Sequence, residues 1–159
     1  MARYHMHNRD KEIKDQSVLK EILKQGKYAV VSMCRGKEPY LVALNYGYDK
    51  DKNALYFHCA LKGLKLDFIK HNPEVCGTVI EDGGYVKGDC KQVYRSVVFW
   101  GKMFNIEGMK EKKRGIGVLL NHLEGGQEKY KKGLQSDDAY KKVGILRLDI
   151  NEITGKQGD

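Results

Sequence analysis

Residues 93–106, VYRSVVFWGKMFNI, are the longest β-prone run in the chain, and a single glycine, Gly101, interrupts them. A glycine inside such a run marks a bulge or a bend, where one strand must turn without ending. Further β runs stand at YAVVSM (28–33), YLVALNYGY (40–48), ALYFHC (54–59), EVCGTVIE (74–81) and VGILRLDINEITG (143–155). RGKEP and DKDKN punctuate the first three, as expected of hairpins. Helical spacing of Val18, Leu19, Ile22 and Leu23 predicts a helix over 16–25, stopped by Gly26. A short helix is expected over 62–71, ended by HNP because a proline disfavours helix in the residue before it. Another is expected over 109–123, weakened by two glycines, with loop or short helix after it. The glycine-rich DGGYVKGD (82–89) reads as a loop, and no helix follows to make it a phosphate cradle. Helices inserted between hairpins do not give the regular alternation of a parallel sheet. Long, bent antiparallel strands predict a mainly β fold closed into a small barrel.

With 41% hydrophobic and 31% charged residues in 159, the chain reads as one globular domain, 1–159, with residues 1–10 as a mobile leader. No apolar run reaches the ~20 residues of a membrane span. The polar start, MARYHMHNRD, lacks a secretion signal, so a cytoplasmic protein is expected. His5 and His7 could pair on a metal, but a frayed terminus is the simpler reading. Cysteines 34, 59, 76 and 90 form no C-x-x-C pair, so reduced and mostly buried thiols are expected. A formal charge of +8 raises the question of nucleic acid. The lysines of KEKKR and KYKK are mixed with glutamates and lie near no nucleic-acid motif. They read as a solvated face.

The stretch LYFHCALKGLK (55–65) concentrates chemistry, placing His58 and Cys59 where a strand gives way to a basic helix. From this stretch alone, His58 is either a core histidine with one hydrogen bond or a functional group.

The motifs RDKEI, PYLVALNYGYD, LYFHCALKGLKLDFIKHNPEVC, YRSVVFWGKM and LDINEITGK, in that order, span residues 9 to 156. In this order the chain resembles the pyridoxamine 5′-phosphate oxidase-related, FMN-binding split-barrel superfamily, and within it the nitroimidazole-resistance branch. The resemblance implies an antiparallel split β-barrel that forms a homodimer with FMN at the subunit interface. It places Leu44, Asn45 and Tyr46 beside the flavin ring, and His58, Cys59 and Ala60 at the phosphate and ring edge. Lys65 is implied on the phosphate, and Arg95, Ser96 and Val97 on the strand that a partner brings to the same flavin. It also makes His58 the candidate catalytic proton donor.

Each placement has an ordinary competitor. Tyr46 could be barrel core, Lys65 a solvated lysine, Arg95 a structural ion pair, and Trp100 core or interface packing. Cys59 stands where relatives carry serine or threonine, and reads as a small filler. Ala43 replaces a proline common in the branch. The arginine-bearing C-terminal segment of true pyridoxamine phosphate oxidases is missing, which argues against that substrate. The expected function is an FMN-dependent oxidoreductase acting on a small electron-poor molecule, with NAD(P)H as a candidate donor. The alternative is a flavin-binding protein that stores or senses FMN without turnover. The residues do not distinguish FMN from a related flavin such as F420, and no metal, membrane or nucleic-acid partner is implied.

Overall fold

The computed structural model describes residues 6–159; His5 and the rest of the first five residues lie outside the described residues. Within the expected leader, Asn8 caps a short 3-10 turn over Arg9–Lys11, and Met6 is 8% exposed. Helix α1 (Gln16–Gln25) follows, its first turn capped by Asp15, whose carboxylate accepts from the Ser17 N–H at 2.8 Å. Then come β1 (Tyr28–Arg35), β2 (Glu38–Asp49), β3 (Ala54–Cys59), α2 (Leu64–His71), β4 (Glu74–Val86) and β5 (Lys91–Asn105). Helix α3 (Met109–Glu124), the short α4 (Asp137–Lys141) and β6 (Gly144–Gly158) complete the chain. No helix among the described residues is long and apolar enough to cross a membrane.

All neighbouring strands are antiparallel and close in the order β1-β2-β3-β6-β5-β4. Closure gives every strand a neighbour on both sides, although the β1–β4 and β2–β3 pairings are short. Side chains alternate across each strand, so one set fills the barrel. Val31, Leu55, Phe57, Val97, Phe99, Leu146 and Leu148 are fully buried there, and α1 packs Leu19, Ile22 and Leu23 onto the same core. The expected break at Gly101 is a register shift between Trp100 and Gly101 in the β5–β6 pairing. There the β6 backbone at Asp149 occupies the space a Cβ would need, so the bend requires glycine.

Two sequence expectations are corrected here. The glycine-rich 82–89 is a loop only at its end: β4 continues to Val86 and pairs with β5 as far as Lys91, forming a two-stranded arm whose turn takes residues 87–90. A register shift between Asp82 and Gly84, with Gly84 at φ 93°, lets the strands continue past the irregularity. All four cysteines are free, as expected of thiols, but only Cys59 is buried; Cys34 and Cys90 are exposed.

Helix α3 is pinned to the barrel by His122. Its Nδ1 accepts the Tyr48 N–H at 3.3 Å, and its Nε2 donates to the Gly26 carbonyl at 2.6 Å. Only a neutral imidazole can do both. Burial, helped by the charge of Lys27, lowers its pKa from 6.5 despite the opposing bond to Gly26. Because the folded pKa lies below the unfolded one, the stabilisation is complete above the unfolded value and is lost as pH falls through the folded value. Urea denaturation is therefore expected to give lower stability at pH ~5 than at pH ~7, with a shallower difference in His122→Gln. An unchanged pH slope in the variant would remove this role from His122.

Candidate functional site

Strand β2 runs beside β1 along its first eight pairs, from Glu38↔Arg35 to Asn45↔Tyr28. It joins β3 only at its C-terminal end, from Tyr46↔Phe57 to Asp49↔Ala54. Beyond Phe57, β3 stays with β6 through His58↔Ile145 and Cys59↔Gly144. The two strands thus part between Asn45 and His58. Along Glu38–Asn45 the second edge of β2 pairs with no strand among the described residues. This is the split in the barrel.

Residues 60–63 lead from the end of β3 into α2. Gly63 stands at φ 150°, a conformation that L side chains rarely adopt, and α2 begins there without a side-chain cap. The first N–H groups of α2, with Lys65 in the first turn, therefore offer donors and a positive charge. Lys65 is half-buried and acts on the Cys59 thiol. Burial pushes that thiol up in pKa, while Lys65 and then Lys112 pull it down. The net rise agrees with Cys59 as a packed filler rather than a nucleophile.

The remaining expected residues divide by the parity of their strands. Leu44 packs against the core and Asn45 faces out, its Nδ2 donating to the Lys27 carbonyl at 3.0 Å. The Tyr46 ring is fully buried, and its hydroxyl donates to the Leu23 carbonyl at 2.6 Å. As a side chain, Tyr46 is therefore barrel core, which leaves only its backbone to face a ring. The Val97 side chain is likewise fully buried, and β5 pairs with β4 and β6 on either side of it. Arg95 is engaged within its own chain, bonding Glu81 at 2.6 Å and Glu21 at 3.1 Å. Ser96 alone of that triplet faces outward, partly exposed, opposite Ile80.

His58 and Cys59 are neighbours in sequence but project to opposite faces of β3. Cys59 joins the barrel core, whereas His58 is exposed, which sets aside the core-histidine reading. His58 opens into a cavity of about 540 Å³ outside the barrel. Ile145, Val143 and Leu134 line it with the apolar face of α3, including Leu119 and Leu123. An imidazole in an apolar wall can exchange a proton with a bound molecule while bulk water is held back. Sequence reasoning missed both this cavity and Lys112. The spacing of positions 112, 115, 116 and 119 carried the signal, because it puts that lysine on the buried face of α3.

The folded chain is a closed antiparallel six-stranded barrel, split where β2 leaves β3, with a cationic helix start just beyond the end of β3. A family model described as pyridoxamine 5′-phosphate oxidase matches residues 15–157, and the chain belongs to that family. Among solved structures it is similar to a candidate 5-nitroimidazole antibiotic resistance protein from Bacteroides thetaiotaomicron. That likeness has 27% identity and a TM-score of 0.78, covering 92% of this chain and 86% of the other. A FAD-binding protein from Mesorhizobium loti matches at 19% identity and TM-score 0.68, covering 91% of this chain and 96% of the other. The FAD and heme binding protein from Mycobacterium smegmatis matches at 18% and TM-score 0.78, covering 94% and 74%. At these lower identities the likeness establishes the fold. No significant match is found among curated proteins.

Proposed function

We propose that this protein is a flavoprotein that binds FMN in the split and uses it as an oxidoreductase on a small electron-poor organic molecule. The observation that carries the reading is the unpaired edge of β2 at residues 38–45, where β2 parts from β3, with the uncapped, lysine-bearing start of α2 following directly on the end of β3. A flat ring with polar edges suits a free strand edge, and a dianionic phosphate suits free N–H groups with a cation. Family membership and the flavin-binding neighbours support the same cofactor class. In this arrangement the backbone of Leu44 and Asn45 would hold the ring edge. Ala60 and Lys65 would receive the phosphate, and His58 would hold the proton that accompanies reduction. The flavin would carry the electrons, with NAD(P)H as the proposed donor.

We further propose a homodimer. The outer face of β2-β1-β4-β5 carries Leu41 at 63% and Ile80 at 59% exposure, with Val30, Val98 and Trp100 partly exposed between them. An apolar sheet face of this kind suits a self-complementary interface, and the partner's β5 would close the open side of the split. Titration of the flavin-free protein with FMN, followed by light scattering, is expected to give one FMN per chain on a dimer. A monomer holding FMN tightly would overturn the dimer. Failure to bind any flavin would overturn the function, and binding without electron transfer from any donor would leave a storage or sensing protein.

A further inference from the structure

The chain packs two apolar clusters, and only the first closes on itself, inside the barrel. The second lies outside β3 and β6, where Tyr56 and Ile145 meet Ile116 and Leu119 of α3. Those four are buried, but Leu120, Leu123, Leu134 and Val143 packed around them stay partly exposed. The same four border the cavity of about 540 Å³ into which His58 opens. A well-packed core leaves few voids larger than a water molecule. This cluster instead surrounds a space of the size that holds a small organic molecule.

The wall indicates what kind of molecule fits. Besides His58, its charged side chains are one carboxylate, Glu124, and one ammonium, Lys129. They balance, so an ion entering among the leucines would lose its water without gaining a net counter-charge. Among the described residues the His58 imidazole has no hydrogen-bond or ion-pair partner, so a ring nitrogen is available to one polar atom of an occupant. Entry does not require the sheet to open. Part of the wall comes from the segment after α3, with Tyr130, Gly133 and Leu134. Among the described residues, the backbone bonds of 127–134 stay within that segment: the Tyr130 N–H donates to the Gln127 carbonyl, and the Leu134 N–H to the Tyr130 carbonyl. A wall held this way can shift while the barrel stays intact.

We propose that this cavity is the substrate site and that it takes a neutral, largely apolar organic molecule with one polar atom directed at His58; its role as substrate rests on the oxidoreductase reading above. The probe is N-phenyl-1-naphthylamine, a neutral dye that fluoresces in apolar surroundings, compared with its 8-sulfonate, which carries the same rings and one negative charge. The neutral dye is expected to bind saturably, and the sulfonate at least ~tenfold more weakly, because its charge must be stripped of water. Leu134→Trp fills the cavity from the segment after α3 and is expected to cost the neutral dye ~tenfold or more in affinity while FMN affinity holds. If that variant does not fold, Val143→Phe fills the cavity from the start of β6 and gives the same comparison. Failure of the wild type to bind the neutral dye, or unchanged affinity in the folded variant, would overturn the site. A sulfonate that binds as tightly as the neutral dye would overturn the substrate class. A wild type that binds the dye at this site but no flavin would overturn the substrate role and uphold the ligand site, so the two readings fail separately.

Discussion

Replacing Lys65 with alanine is expected to weaken FMN binding about ten- to a hundredfold and to leave riboflavin binding close to wild type. A lysine on a phosphate contributes a charge-assisted bond of roughly 1.5–3 kcal/mol. Lys65 is half-buried in the first turn of α2, so salt screens it less than it screens a fully exposed lysine. The loss should still shrink as ionic strength rises, because part of the attraction crosses solvent. The substitution has a second, independent signature. Lys65 is the larger of the two charges that lower the pKa of the Cys59 thiol. Without it that pKa rises, and alkylation of Cys59 near neutral pH should slow, since the thiolate is the reacting form. FMN and riboflavin weakened equally would move Lys65 off the phosphate. A loss of FMN affinity with unchanged Cys59 reactivity would mean that the thiol does not sense Lys65.

Much of this arrangement was legible in the sequence because hydrophobic period and turn chemistry act locally. The first helix falls on residues 16–25 as its spacing predicts, and Gly101 marks the bend that lets one long strand serve a closed barrel. The parity of individual side chains was harder to read. Tyr46 and Val97 belong to stretches that resemble flavin-contacting strands, yet both face the core. In a period of two, a residue beside a site in sequence is as often behind it in space. The glycine-rich 82–89 misled for a different reason: glycine signals a turn when isolated, but here it relieves a register shift within a continuing arm. Lys112 was hidden by composition. Its charged neighbours made the segment read as a solvated face, while its spacing from Ile116 and Leu119 placed it underneath the helix.

His58→Gln is expected to keep the dimer and most of the flavin while slowing flavin reduction or reoxidation by ~10²-fold or more, the scale of losing a positioned acid or base. Glutamine retains a hydrogen-bonding head but cannot carry a proton through neutral pH, so the substitution separates proton transfer from anchoring. The geometry favours proton transfer. His58 is exposed on the outer face of β3, opposite in direction to Cys59, and its ring borders the apolar cavity under α3 rather than the barrel core. A substrate held against Leu119, Leu123 and Ile145 would therefore meet one titratable group on that strand. Stopped-flow kinetics at saturating FMN, across pH ~5–9, separates the outcomes. A lost ionisation in the rate profile, with occupancy intact, supports the proton-transfer role. Lower FMN occupancy with wild-type turnover at saturation would instead make His58 a phosphate anchor. Loss of folded protein without a specific flavin effect would make it structural, an outcome its exposure argues against, because an exposed side chain has little packing to lose.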